Sequence, residues 1–383
     1  MQTFKKRIKQ IVFVVMVLMV CKGANANQKT ASIDLVFCLD LSGSTNGLID
    51  DVRDNIWDII NQCYSYRPQP DFRVGIVAFS RPSFGRENGY VKILCPLTNN
   101  FEFIAFEMAK LKPSIEKGDQ LVGHALKAAT LGMQWTTRAD AIKVIFLVGN
   151  GLVNLDGEKY REAYAYAAAN KIIVNTVYCK SSNYIKEISG WREIAKSTGG
   201  IPYDMQIHKR NPLILTCKEK DSLHYLGKSF FETYIYYGEK GKDFYKMEQL
   251  IDKTALMGNE MTYQSRLFYK VSDLFQLKQA QWDLVDYLKA TNSDFTEIYA
   301  DQLPDTLQSY TSEKLRQLIM SKKDQRLKLI SQIRGFLKFD RQQIINKQIA
   351  EKAYDKNPGT FDRIVISWLN KAAAEKGLNT FAN

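Results

Sequence analysis

Histidine is scarce in this chain of 383 residues, which contains only His124, His208 and His224. That scarcity argues against a histidine-rich metal site and against an enzyme that depends on a histidine general base. The sequence also has no Gly-x-Ser-x-Gly motif, no glycine-rich phosphate-binding loop and no Cys-x-x-Cys pair. The serine-hydrolase, phosphate-loop and dithiol redox classes therefore have no support in the sequence.

No apolar run approaches the ~20 residues that a membrane-spanning helix needs. The longest, residues 11–20, follows four basic residues and precedes Ala24-Asn25-Ala26, a small-x-small cleavage signal. This order is typical of a secretory signal peptide. We therefore predict a leader of residues 1–26, cleaved before Asn27, and an exported protein of the periplasm, the cell envelope or the medium.

Cysteine is also infrequent, with six residues in the whole chain. Cys21 lies in the predicted leader and leaves lipidation open, but Val20 precedes it where lipoprotein processing favours a small residue. An odd number of cysteines remains after cleavage, so at least one thiol is unpaired. We predict no disulfide, and Cys38 within an apolar strand is expected to act as a small buried hydrophobe.

Positive charge is unevenly placed. The net charge is +12, and the leader carries five of the basic residues and no acidic one. The remaining excess equals that of residues 313–347, which have ten Lys or Arg and three Asp or Glu. This concentration argues against a nucleic-acid-binding surface. The segment is either a solvated helix face or a contact with anionic lipid headgroups or acidic envelope polymers.

Strands and helices alternate between residues 31 and 206. Nearly continuous apolar runs predict strands that are buried on both faces, and apolar residues at three- and four-residue spacing predict the helices between them. The predicted strands are residues 33–39, 74–79, 91–97 (an edge strand), 144–148, 172–177 and 201–205. The fold class is therefore α/β, with a doubly wound, mainly parallel six-stranded sheet in residues 27–206. Residues 207–383 are predicted to form a mainly α-helical region, with a long helix from Glu313 to about Tyr354.

Three oxygen-bearing residues, Asp40, Ser42 and Ser44, follow the first predicted strand at alternate positions. Ligands of such sheets bind beyond the carboxyl ends of the strands, and hard divalent cations prefer oxygen ligands. These residues are therefore candidate metal ligands. The alternative interpretation is a helix N-cap, because Ser and Asp are favoured there as well.

At this turn the sequence resembles the von Willebrand factor type A domain, whose metal-ion-dependent adhesion site opens with Asp-x-Ser-x-Ser. The resemblance covers residue 32 to about residue 204 and looks closest to a branch of secreted bacterial proteins. Further stretches that carry it are residues 56–62, 146–149, 173–179 and 191–195.

The resemblance implies two more ligand loops. In the second loop Gly118 and Asp119 match the bacterial pattern, which makes Asp119 a candidate ligand, with a helix N-cap as the alternative. In the third loop the family has an Asp, whereas this chain has Asn150. An amide oxygen can still coordinate Mg²⁺ or Ca²⁺, but it brings no charge. The site is then expected to bind the bare ion more weakly and a partner carboxylate more strongly, or to have lost its metal.

The predicted function is metal-dependent binding of a protein partner rather than catalysis. Asp40, Ser42, Ser44 and Asp119, assisted by Asn150, would hold Mg²⁺ (or Mn²⁺ or Ca²⁺), and a carboxylate of the partner would complete the coordination. One alternative is a metal-free scaffold for envelope assembly. Another is a hydrolase that uses the ion to activate water.

Overall fold

The structure is a computed structural model. It describes residues 31–45, 47–111, 118–157, 159–207, 217–258, 260–291, 300–352 and 360–380. For residues 217–221, 260, 289–291 and 339–352 the description is limited to the backbone. The predicted signal peptide and residues 208–216, beside the predicted boundary, lie outside these ranges.

A six-stranded sheet forms the centre of the amino-terminal half, as the sequence predicts. Its strands are β1 (Ser32–Asp40), β3 (Asp71–Phe79), β4 (Val91–Thr98), β5 (Ile142–Gly149), β6 (Ile173–Cys179) and β7 (Pro202–Met205). Their order across the sheet is β4-β3-β1-β5-β6-β7, and only β4 runs antiparallel to its neighbour. Pro96 lies in β4, where an edge strand tolerates the missing backbone donor.

The strand order reverses next to β1. The chain passes from β1 to β3 on one side and reaches β5 on the other, and both are parallel to β1. The carboxyl ends of β1 and β5 therefore meet at the topological switch point. Ligands of open α/β sheets bind in the crevice at such a point.

Helices cover both faces of the sheet. They are α1 (Leu48–Ser65), α2 (Phe101–Lys110), α3 (Val122–Leu131), α4 (Lys159–Ala169) and α5 (Tyr184–Ser197). All nine residues of β1 are buried, and its alternate side chains enter two separate cores. Phe37 packs on the side of α1 and α2, whereas Cys38 packs on the side of α3, α4 and α5. This arrangement explains why the strand reads as a continuous apolar run.

The carboxy-terminal half is mainly helical, as predicted. Its helices are α6 (Cys217–Phe231), α7 (Gly241–Gly258), α8 (Glu260–Lys270), α9 (Asp273–Gln279), α10 (Leu284–Thr291), α11 (Ser312–Lys352) and α12 (Phe361–Glu375). Two short strands, β2 (Tyr66–Arg67) and β8 (Asn379–Thr380), pair antiparallel and join the end of α1 to the end of the described chain.

The last helix, α12, packs directly against the central sheet. The ring of Phe361 lies 5.3 Å from that of Phe37 in β1, and the ring of Trp368 lies 5.9 Å from that of Phe146 in β5. One hydrophobic cluster consequently includes the sheet, α1, α2 and helices of the carboxy-terminal region. One hydrophobic cluster therefore crosses the predicted boundary at residue 206.

The long helix α11 buries an apolar stripe that differs slightly from the predicted one. Leu315, Ile319, Ile330, Ile333 and Leu337 are buried, as expected from their spacing. The predicted stripe also included Leu327, which is wrong, because 47% of this residue is exposed. Leu329 is buried instead.

Two further expectations concern membranes and thiols. Among the helices in the described ranges, none is both long and apolar enough to cross a bilayer. Cys38, Cys63, Cys95 and Cys179 are all buried and unpaired. Burial raises the pKa of each of these thiols. They are therefore inert packing residues, in agreement with the role predicted for Cys38.

Candidate polar site at the sheet edge

The turn after β1 is held by its own side chains. The backbone N–H of Ser42 donates to Asp40 Oδ1 at 2.9 Å, and Thr45 Oγ1 donates to the carbonyl oxygen of Asp40 at 2.8 Å. Helix α1 begins later, at Leu48, and its N-cap Gly47 makes no side-chain cap bond. The N-cap interpretation of Asp40, Ser42 and Ser44 is therefore wrong.

Asn150, which follows β5, meets this turn. Ser44 Oγ donates to Asn150 Oδ1 at 2.9 Å, and the hydroxyls of Ser42 and Ser44 lie 2.9 Å apart. The approach is close because Gly149 precedes Asn150. A Cβ atom at position 149 would lie 2.5 Å from Cβ of Asp40.

The second loop contributes Gln120 to the cluster. Gln120 Nε2 lies 2.8 Å from Asp40 Oδ2, 3.0 Å from Ser42 Oγ, 3.1 Å from Ser44 Oγ and 2.6 Å from Asn150 Oδ1. We define the polar cluster as Asp40, Ser42, Ser44, Gln120 and Asn150. Three loops that are distant in the chain thus converge at the switch point of the sheet.

Asp119, the predicted ligand of the second loop, is solvent-exposed. Helix α3 begins at Val122 with Leu121 as its N-cap and no side-chain cap bond, so the N-cap alternative for Asp119 is wrong. The structure brings the neighbouring Gln120 into the cluster instead. Sequence reasoning missed Gln120, and the only signal was its position beside Asp119 in a loop already expected to face the site.

Asp40 is the carboxylate of the cluster and is fully buried. Burial raises the pKa of this carboxyl group, while hydrogen bonds from groups that include the Ser42 N–H and the Gln120 amide lower it. Among the described residues, the groups that lower this pKa are hydrogen-bond donors and not cations, which makes the position of Asp40 receptive to a positive ion.

The loop that carries Asn150 is braced from α5. The N–H of Gly151 donates to Glu187 Oε2 at 2.8 Å, and Trp191 Nε1 donates to the Gly151 carbonyl oxygen at 2.8 Å. Tyr178 also donates to Glu187 Oε2, at 2.7 Å. Burial, with a smaller effect of Glu187, raises the pKa of Tyr178 to about 12, so its hydroxyl stays a donor.

His124 belongs to a separate surface network rather than to the cluster. Asp156 Oδ2 accepts the backbone N–H of His124 at 2.8 Å and lies 2.6 Å from its Nδ1, while Lys159 Nζ lies 2.8 Å from Nε2. Asp156, which the sequence marks only as part of a turn, therefore holds the first turn of α3 to the loop after β5.

The family model of the von Willebrand factor type A domain matches residues 34–199 of this chain. The matched segment runs from β1 through α5 and includes all three loops of the polar cluster. Residues 34–199 are a von Willebrand factor type A (vWA) domain. No curated protein matches the chain in sequence.

Solved structures to which this chain is similar include the following three. Proximal thread matrix protein 1 from the mussel byssus is 17% identical, with 46% of this chain and 42% of that chain covered and a TM-score of 0.36. An aerotolerance-related membrane protein from Bacteroides fragilis is 15% identical (46% and 92% covered, TM-score 0.31). The SpRpn10 VWA domain is 12% identical (47% and 91% covered, TM-score 0.35). The present chain thus spans about two fifths of the length of the mussel protein.

The cluster of this vWA domain has the donor chemistry of a hard-cation site. It offers one carboxylate, two hydroxyls and one amide carbonyl, all of them oxygen donors. It does not offer a multi-carboxylate cage. Within the described part of the chain, no three His, Cys, Asp or Glu side chains gather as they would around a metal ion. The residues therefore fit a hard ion such as Mg²⁺ or Mn²⁺ that retains other ligands, and the cluster lacks the His and Cys ligands that Zn²⁺ and Cu²⁺ prefer.

Exposed apolar side chains lie at the same edge of the vWA sheet. Leu152 and Leu155 follow β5 and are 39% and 53% exposed, and Ile185, at the start of α5, is 89% exposed. Both segments leave the carboxyl ends of parallel strands, as the cluster does. Exposed apolar groups beside a polar site are typical of surfaces that bind proteins.

Proposed function

We propose that this protein is an exported binding module whose vWA domain holds a protein partner through a divalent cation at the polar cluster. The observation that carries the proposal is the convergence of Asp40, Ser42, Ser44 and Asn150 at the switch point of the sheet. Asp40, Ser42, Ser44 and Asn150 would hold the ion, with Asp119 as a further predicted ligand. The bound ion, Mg²⁺ in the first instance, would supply a positive charge for a carboxylate of the partner.

The exposed apolar residues beside the cluster support a protein rather than a small molecule as the partner. A single carboxylate–ion contact is small, and a stable protein interface needs buried apolar area around it. Leu152, Leu155 and Ile185 would provide part of that area. The proposal includes no catalytic step, because the five residues of the cluster do not supply a nucleophile together with a general base and an oxyanion site.

Export and envelope contact are parts of the same proposal. The predicted leader supports export, and cleavage would place Asn27 at the mature amino terminus, which amino-terminal sequencing would read directly. Only some of the basic side chains in segment 313–347 would be available to contact the envelope, because others are bound within the protein. Arg326 is buried against Asp283 and Asp286, at 2.5 and 2.9 Å, and Lys322 Nζ donates to the Glu232 carbonyl oxygen at 3.0 Å.

Titration calorimetry with Mg²⁺ and Mn²⁺ tests the proposal. We expect millimolar or tighter binding to the wild type, loss of binding in Asp40→Asn, and tighter binding in Asn150→Asp, because that change adds a ligand charge. Asn150 Nδ2 is buried without a hydrogen-bond partner, so the aspartate also removes an unsatisfied donor. Ser83→Ala, outside the cluster, serves as the control. Absence of binding in both the wild type and Asn150→Asp contradicts the proposal.

A metal-free scaffold is the second candidate, and one observation favours it. The amide of Gln120 already satisfies the oxygens of the cluster without an ion. The scaffold function applies if no divalent ion binds and if substitutions at the exposed residues Leu155 and Ile185 weaken binding of a partner protein.

A further inference from the structure

The nitrogen of one side-chain amide occupies the centre of the polar cluster. Gln120 Nε2 has four oxygen atoms from four different residues within 3.1 Å. The reverse orientation of this amide would direct Oε1 at the carboxylate of Asp40, which can only accept hydrogen bonds when ionised. Electrostatics therefore fixes the nitrogen on the inside.

The donor hydrogens that face the centre of the cluster find acceptors without an ion. An amide nitrogen has two hydrogens, and the two shortest contacts direct those of Gln120 to Asn150 Oδ1 and Asp40 Oδ2. The hydroxyl of Ser44 donates to Asn150 Oδ1, and that of Ser42 can donate to Ser44. These four hydrogens are used, whereas Asn150 Nδ2 stays without a partner.

Gly151 provides the space for the Gln120 side chain. A Cβ atom at position 151 would lie 2.4 Å from Gln120 Oε1, and the backbone φ there is +94°. The third loop therefore contacts two neighbours through its glycines. Gly151 lies against the Gln120 amide, and Gly149 lies against Asp40.

We propose that Gln120 is an internal substitute for the cation and that the amide must leave the centre before a divalent ion binds. An N–H group presents the positive end of its dipole and cannot coordinate a metal ion, so an ion and the amide in this orientation exclude each other at this point. This inference rests on the proposed function, that the cluster binds such an ion. Gln120 then sets the affinity of the site, because only the fraction of molecules with the amide displaced can bind.

The test compares Mg²⁺ affinity in the full chain by calorimetry and stability by thermal unfolding. If about a tenth of the wild-type molecules have the amide displaced, Mg²⁺ should bind about tenfold more tightly to Gln120→Ala than to the wild type. The ion-free variant should unfold at a lower temperature than the wild type. Gln308→Ala removes an amide that contacts Leu303 and Asp305, remote in sequence from the cluster, and should change neither quantity.

A second substitution guards against a folding defect in the first. In Gln120→Glu a carboxylate replaces the amide beside Asp40, so we expect a lower unfolding temperature without Mg²⁺ and recovery with it. Mg²⁺ affinity of Gln120→Ala that is equal to or weaker than that of the wild type overturns the inference and leaves the proposed function intact. So does a Gln120→Glu variant as stable as the wild type in the absence of the ion. Absence of Mg²⁺ binding in every variant overturns both proposals.

Discussion

Glycine on either side of Asn150 allows two other loops to reach the polar cluster. Gly149 lies against Asp40 and Gly151 lies against Gln120. Neither contact is visible in the sequence, where Gly149-Asn150-Gly151 looks like an ordinary turn. At the scale of single residues, the site thus depends on two glycines, which have no side chain, as much as on the five side chains of the polar cluster.

Gly151→Ala should destabilise the protein for two separable reasons. The positive φ disfavours any side chain by about 1 kcal/mol, and the contact with Gln120 Oε1 adds a steric cost. Gly157→Ala is the matched control, since φ is +79° there and no atom lies within 4 Å of the added Cβ. We expect the control to show only the conformational part in urea unfolding.

The steric part should disappear when Gln120 is shortened. In a double-mutant cycle, Gly151→Ala should therefore cost less in the Gln120→Ala background than in the wild type. Additive effects would mean that the Gln120 side chain does not press on position 151.

The strand pattern predicted most of the fold and one side of the site. Buried runs such as residues 33–39 identify strands with both faces covered, but the strand order was not predicted. Asp40, Ser42 and Ser44 were found because they directly follow a strand end, and Asn150 was found through the family resemblance. Gln120 was missed because loop conformation, not periodicity, decides which of two adjacent polar residues turns inward.

Helices α2, α7 and α8 meet at a buried ionic network that no local pattern predicts. Arg266 pairs with Glu102 and Glu248, at 2.7 Å each, and with Asp252 at 3.0 Å, while Lys270 contacts Asp252. Glu102 is 164 residues from Arg266 in the chain. The network contains three carboxyl groups and two cations, so a proton on one carboxyl group would balance its charge. At the scale of elements, it fixes the helical region against the vWA domain.

Stability should depend on pH through Glu248. Burial, opposed by Arg266, raises the pKa of this carboxyl group to about 8 in the folded protein, against about 4.3 in an unfolded chain. Between these values the folded state binds a proton that the unfolded state has released. Stability should therefore fall as the pH rises from about 5 to 8, by at most about 1.4 kcal/mol per pH unit.

Glu248→Gln isolates this effect, because it keeps the shape and removes the titration. Urea unfolding of the variant at pH 5 and pH 8 should show a clearly smaller difference than the wild type. Glu239→Gln, at an exposed position, should retain the wild-type dependence. Parallel pH profiles of the wild type and Glu248→Gln would contradict the assignment.

At the scale of the whole molecule, the largest hydrophobic cluster of the described residues extends across the predicted boundary. Phe361 and Trp368 of α12 cover Phe37 and Phe146 of the sheet, although more than 200 residues separate them in the sequence. The amphipathic pattern of α12 predicts a helix but not which surface it covers. For this reason the sequence pattern predicts an α/β half and a helical half, and it does not predict the contact between them.

Trp368→Ala should destabilise both halves together, by about 3–5 kcal/mol, because it opens a cavity between α12 and β5. Ser367→Ala changes the adjacent exposed residue of the same helix and should have little effect. Unfolding followed by far- and near-ultraviolet circular dichroism should show a single transition, shifted in Trp368→Ala. Two transitions, with only the second shifted, would show independent domains.

The position of α12 also constrains when the protein can fold during synthesis. Ribosomes deliver Ser32–Asp40 more than 300 residues before Phe361–Glu375, yet the second of these segments covers one face of the first. A nascent chain therefore stays open on that face until α12 has been synthesised. A premature stop between residues 206 and 361 would release a polypeptide with a complete sheet and an uncovered apolar surface, a species prone to aggregate and to be degraded.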